Sequence, residues 1–254
     1  MERAWRKTEL ATQKAIGELK KNLGLVNMDI IWTGALLVPL VILVALRGDD
    51  AEVDVDEAIG WMVLAAIKHR YTGASDTALT QDLKACRRDD PVGALLRNLR
   101  SADKGRVLEA SAPDFRGGIS DRGELFAAYV ACYQRGLKSF DGGNVVHQEG
   151  VHRHHILPRR QFEPPDRAKS DVVANIAFIL GPDNQSIGAE PPERYLQKVK
   201  RDVLESQCIP LDRDLWKIER AEGFWAERQE LLAAAFNDFV KAKLPNRRKV
   251  LSND

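Results

Sequence analysis

Apolar residues in the first stretch, Glu2 to Leu23, recur at helical spacing. Trp5, Leu10, Ile16 and Leu19 can share one face, with Lys and Arg on the others, which predicts an amphipathic helix. The uncharged run Ile30 to Leu46 (IIWTGALLVPLVILVAL) follows. It falls short of the ~20 apolar residues of a spanning helix, and Pro39 should interrupt or kink a helix there. A buried core helix is favoured over a membrane span. The acidic run Asp49 to Glu57 suits a helix N-terminus, ahead of a stripe of Ile59, Met62, Val63, Ala66 and Ile67. Ser75-Asp76-Thr77 offers a cap for a helix through Leu79, Leu83 and Cys86. Pro91 to Arg100 reads as a short helix, Lys104 to Gly118 as loop, and Glu124 to Leu137 as a strong helix.

The pattern changes at Phe140 to Gly143 (FDGG), a turn signal. Val145-Val146-His147 and Val151 to Ile156 are β-prone runs around Gln148-Glu149-Gly150, which predicts a hairpin. Ser170 to Leu180 fits strand or helix, and Pro182-Asp183-Asn184 breaks it. Pro191 and Pro192 start a helix over PPERYLQKVKRDVLE. Trp216, Ile218, Phe224, Trp225, Leu231, Leu232, Phe236 and Phe239 form the expected C-terminal core, and the basic tail KAKLPNRRKVLSND should fray. The expected class is mainly α with a small α+β insert. The expected division is a helical domain (1–139), an insert (140–207) and a C-terminal helical segment (208–254) packing on the rest.

Composition narrows the function classes. The 254 residues are 44% hydrophobic and 30% charged, an ordinary globular balance, and the net charge is +1. No global basic excess announces nucleic acid, so any DNA contact must rest on local patches and a metal. Cys86, Cys132 and Cys208 lie far apart, as buried thiols of a reducing, cytoplasmic protein would. The start, MERAWRKTEL, is not a secretory signal.

Of five histidines, His69 stands apart, while His147, His152, His154 and His155 crowd into nine residues. Histidine accepts protons near neutrality and ligates metals. The cluster is therefore a site candidate beside a predicted hairpin. Two plainer readings compete: an inert polar hairpin, and a structural zinc site of His147, His152 and His154, which lacks the nearby cysteines such sites favour. His69 reads as a structural helix residue. His147 reads as an ordinary hairpin residue, and His152 as that or a support to the site.

The order His154-His155-Ile156-Leu157-Pro158, then Asn175, then Asn184 nine residues later, resembles the HNH (ββα-metal, His-Me finger) nuclease fingerprint. The resemblance implies a β-hairpin and helix gripping one divalent cation. By it, His155 is the general base, His154 and Asn184 are the metal ligands, and Asn175 holds the loop bearing His155. The implied activity is hydrolysis of DNA phosphodiesters, by nicking or cutting. Mg2+ is the expected metal, with Mn2+ or Ni2+ as alternatives because imidazole favours later metals. Arg159, Arg160 and Lys169 are expected to clamp flanking phosphates. Gln185 departs from the family, where a basic residue often follows the second Asn.

The lead-in (WTGALLVPLVILVAL, DEAIGWMVLAAIKHRYTGASDTALTQDL) and CIPLDRDLW…FWAERQELLAAAFNDFV resemble the helical regions around the nuclease of GmrSD-type modification-dependent restriction enzymes. That resemblance implies prokaryotic anti-phage defence. Nothing here resembles the nucleotide-hydrolysing, ParB-like domain of those enzymes. A separate subunit would then supply nucleotide hydrolysis or target recognition, unless the chain is a fragment or dispenses with that function. Two other functions compete: a catalytically silent DNA-binding or scaffold subunit of a defence complex, and a membrane-tethered metal sensor.

Overall fold

The computed structural model describes every residue except Met1, Trp32, residues 47–53, Val146, Pro165, Ala189, residues 248–250 and residues 252–254. The start of the acidic run, the middle of the expected 145–147 strand and most of the end of the basic tail therefore lie outside the described residues. Among the described residues the chain is mostly helical, with one two-stranded antiparallel sheet. It divides into two units: Met1–Glu109 with Asp238–Asp254, and Ala110–Asn237. The boundary expected at 139/140 falls inside the second unit, so residues 110–139 group with the sheet.

In the first unit, α1 (Glu2–Leu23) buries Ala11, Ala15, Leu19 and Leu23, a stripe at i, i+4 spacing against which α2 (Leu37–Leu46) packs. Of the four residues expected to share the inner face, only Leu19 is buried; Trp5, Leu10 and Ile16 are exposed. Small side chains form the packed surface here. A 3-10 turn (Gly34–Leu36), capped by the Thr33 hydroxyl, precedes α2. Pro39 consequently sits in the first turn of α2, where its missing N–H costs no intrahelical bond, rather than kinking it. Among the described residues, no helix is long and apolar enough to cross a membrane.

The Asp54 carboxylate caps α3 (Val55–Ile67), which is buried on nearly every side. His69 lies beyond that helix, in a left-handed turn (φ 50) rather than in the helix expected for it. No side chain caps α4 (Ser75–Ala85): Ser75 is its first residue, and Leu79 and Leu83 are only half-buried. Instead α4 buries Asp82, which accepts from Arg70 Nε (2.9 Å), Tyr71 OH (2.9 Å) and Asn98 Nδ2 (2.9 Å) on α5 (Pro91–Ala102). This burial, with Asp82 nearby, pushes the Cys86 thiol up to about 12, so it stays protonated.

In the second unit, α6 (Arg122–Gln134) is capped by Asp121 and almost wholly buried. Strand β1 (Val151–His155) pairs antiparallel with β2 (Ile176–Leu180), His155 opposite Ile176. Among the described residues β1 pairs with β2, across a long connection, rather than in the expected local hairpin with residues 145–147. α7 (Gly181–Ile187) follows β2 directly, with Pro182 in its first turn. The expected single helix over PPERYLQKVKRDVLE is broken into α8 (Pro192–Tyr195), a 3-10 turn and α9 (Arg201–Ser206). α10 (Ala221–Lys243) contributes its residues to Asn237 to this unit. There Phe224, Trp225, Leu232 and Phe236 are buried, as is Trp216 ahead of the helix.

The free edge of β2 is closed by a side chain. The Gln207 carboxamide accepts from Phe178 N–H (3.1 Å) and donates to Phe178 O (2.7 Å), standing in for a third strand. Arg228 of α10, with no exposed surface, donates to Ala174 O (2.9 Å), Ile176 O (2.7 Å) and Gln207 O (3.0 Å). A buried cation is tolerated only when its donors are satisfied, and carbonyls do that here.

Glu124, in the first turn of α6, is nearly buried and accepts from Gly117 N–H. Burial, opposed by that hydrogen bond, pushes its carboxyl up to about 7. A carboxyl raised on folding adds stability below its unfolded pKa and withdraws it as pH rises through the folded value. Stability should therefore fall as pH rises from about 4.5 to about 7. Glu124→Gln should flatten that slope in urea titrations at several pH values; an unchanged slope contradicts the assignment.

Candidate functional site

The site begins with the end of β1. Neighbouring residues on a strand point to opposite faces, so His154 and His155 face different surroundings. His154 is almost fully buried between the rings of Phe140 and Tyr195, each edge-on at 5.9 Å. Its Nδ1–H donates to Asn184 Oδ1 on α7 at 2.8 Å, while Nε2 is buried and has no hydrogen-bond partner among the described residues. His155 is half-buried, and its Nε2–H donates to Asp171 Oδ1 at 2.9 Å. In the neutral ring that tautomer has its lone pair on Nδ1. The two imidazoles lie near enough to feel one another's charge. Burial holds His154 below the ordinary histidine value; the Asn184 hydrogen bond opposes it, and the neighbouring His155 adds a smaller push downward. His154 is thus a neutral imidazole, the form that ligates metal.

Asn175, fully buried, pins the loop that follows β1. Its Oδ1 accepts from Leu157 N–H (2.9 Å), and its Nδ2 donates to Leu157 O (3.0 Å) and Ser170 O (2.9 Å). Its own carbonyl accepts from Ile156 N–H (2.8 Å), and Tyr195 OH donates to Ile156 O (2.6 Å). Burial raises the Tyr195 pKa well above the ordinary value, so the hydroxyl keeps its proton and remains a donor.

α7 is fixed at its start. Asp183 accepts from Ser139 Oγ and from Asp141 N–H (3.1 Å), and Ser139 Oγ in turn accepts from Leu180 N–H (2.9 Å). The backbone of Gly181 runs close under His152: a Cβ there would lie 3.1 Å from His152 Nε2. His152 therefore packs over the entry to α7, and His147 is exposed. Histidines 147, 152 and 154 do not converge as a ligand group among the described residues.

The three expected phosphate contacts separate. Arg159 Nη1 meets Asp171 Oδ2 at 3.2 Å, beside the imidazole of His155. Arg160 is exposed, and its Nη2 lies 4.0 Å from where a side chain at Gly188, just past α7, would begin. Lys169 instead pairs with Asp166 at 2.8 Å and lines a cleft with Phe162, Ile218 and Trp225. Three contributors carry no sequence signal of their own: Asp171, Phe140 and Tyr195. A lone Asp in SDVVAN has no spacing rule relative to His155, Phe140 reads as the start of a turn signal, and Tyr195 as one residue of an expected helix.

Asn175→Ala would orphan one buried N–H and two carbonyls, each costing ~1–3 kcal/mol when unsatisfied. Partial relaxation of the loop should leave a loss of about 3 kcal/mol in urea unfolding. Asn175→Asp, which cannot donate to Leu157 O or Ser170 O, should not recover it. A loss below about 1 kcal/mol, the value of one typical hydrogen bond, would show that the loop stands without this carboxamide.

No protein-family model, curated protein or solved structure matches the chain.

Proposed function

We propose that the second unit carries a one-metal HNH-type (ββα-metal) nuclease site that hydrolyses DNA phosphodiesters. The observation that carries this reading is the 2.8 Å separation of His154 Nδ1 and Asn184 Oδ1, next to an imidazole whose other nitrogen is already engaged. Adjacent ligands on an octahedral cation with bonds of ~2.1 Å lie ~3 Å apart, so the pair fits one cation with little movement. Binding it would require the proton of His154 to move from Nδ1 to Nε2. Both ligands are neutral, so affinity for Mg2+ should be weak until phosphate oxygens join, and Mn2+ or Ni2+ should serve as well.

When bound, the cation would screen phosphate charge and stabilise the leaving oxygen. His155 Nδ1 would take a proton from the attacking water, while Asp171 holds Nε2–H and stabilises the imidazolium without itself being protonated. Asn175 positions rather than reacts. A place in anti-phage defence, with a separate subunit for recognition or nucleotide hydrolysis, rests on the sequence resemblance of the flanking helices.

One observation favours a second reading, a catalytically silent DNA-binding or scaffold subunit. The two would-be ligands already satisfy each other, and His154 is closed in by aromatic rings.

Supercoiled plasmid separates the two. With Mg2+ or Mn2+ the protein should nick it, chelator should stop the reaction, and His155→Ala should slow it by ~100-fold or more, the usual share of a general base. Undiminished cutting by His155→Ala would remove the assigned base. Intact plasmid with Mg2+, Mn2+ and Ni2+ alike would leave the scaffold reading.

A further inference from the structure

We infer that Asp171 is the positioning residue for His155, and that Arg159 guards it, leaving the carboxylate for a DNA phosphate when substrate binds. The inference rests on the nuclease reading and adds a substrate-responsive step to it. The Asp171 carboxylate is shared: Oδ1 takes His155 Nε2–H at 2.9 Å, and Oδ2 takes Arg159 Nη1 at 3.2 Å. The carboxylate cannot follow either partner, because its backbone is tied on both sides. Asp171 O accepts from Ile119 N–H (3.0 Å), Asp171 N–H donates to Ala168 O (3.2 Å), and Val173 N–H donates to Gly117 O (2.9 Å). Val172 also bridges Gly118.

Arg159 is the partner free to leave. Its side chain is 57% exposed, against 23% for Asp171 and 26% for His155. It stands on a short 3-10 turn, Arg159–Gln161, that starts four residues after the end of β1. An ion pair so exposed is weak, and a phosphodiester offers the guanidinium two equivalent oxygens in the fork geometry it fits best. Once Arg159 has moved, no second Lys or Arg pairs with Asp171 beside the imidazole among the described residues. The full charge then stabilises the imidazolium that forms as Nδ1 takes the water proton. Nε2–H stays on the ring throughout, and the carboxylate gains no proton.

The geometry separates the two residues kinetically. In plasmid nicking with Mn2+, Asp171→Asn should lower kcat by about 100-fold and leave KM within about twofold, because an amide at that position can favour the wrong imidazole tautomer. Arg159→Ala should instead raise KM by about tenfold and make its logarithmic salt dependence shallower by about one, and Arg159→Lys should recover most of the KM change. Two readouts need no turnover. Ring 15N NMR should find His155 as the Nε2–H tautomer in the parent protein and shifted towards Nδ1–H in Asp171→Asn. Fluorescence anisotropy with a phosphorothioate duplex should show the same loss of salt slope in Arg159→Ala. If the parent cuts no plasmid, the nuclease reading fails while these two measurements still decide the relay. An Arg159→Ala protein that loses kcat in parallel with Asp171→Asn, at unchanged KM and salt slope, would make Arg159 a brace and overturn the inference, as would an Nδ1–H tautomer in the parent.

Discussion

The backbone of two residues, Ile156 and Leu157, holds the candidate site together. All four of their peptide groups are spoken for: Asn175 answers three, through its carbonyl and both ends of its carboxamide, and Tyr195 answers the fourth. The strand therefore ends at a defined point and angle, with His155 as its last residue. A buried carboxamide that satisfies both a donor and an acceptor of the same residue is hard to replace, because apolar substitutes leave the peptide groups unpaired. Asn175 is itself fixed by its neighbours, whose carbonyls, Ala174 O and Ile176 O, are gripped by Arg228. The chain from α10 to the end of β1 is thus a run of hydrogen bonds with no solvent-exposed link.

This constraint explains why the two histidines can differ in character while adjacent in sequence. His154 is driven into an aromatic enclosure and held neutral, with Asn184 as its polar contact. His155 stays at the rim, engaged by a carboxylate through one nitrogen only. A ligand wants the first environment and a proton acceptor wants the second. The same two imidazoles on a freely exposed hairpin would carry neither distinction.

Local pattern made much of the scaffold legible. The helices expected from Pro91 and around Glu124 form as α5 and α6, and the apolar runs of α3 and α6 are buried as their composition requires. Pairing across distance was not legible. Val151 to Ile156 is a β-prone run, but nothing in it says that the partner is Ile176 to Leu180 rather than residues 145–147. The buried face of α1 is hidden in the pattern because alanines carry no hydrophobic signal strong enough to outweigh Trp5 and Leu10. Arg228, in a charged stretch of helix, reads as solvated, and its burial follows only from carbonyls that other elements bring to it. The residues His154, His155, Asn175 and Asn184 stood out in the sequence as a set, whereas Asp171 became visible only once the fold set its carboxylate against His155.

The central claim is that His154 and Asn184 are a ligand pair for one cation rather than a closed polar contact. Anomalous diffraction from crystals equilibrated with Mn2+ tests it directly. A ligand pair gives a single strong peak within ~2.2 Å of both His154 Nδ1 and Asn184 Oδ1, with water or phosphate completing the shell. Crystals saturated with Mn2+ that show no peak there, and that keep the direct hydrogen bond between the two side chains, would contradict it.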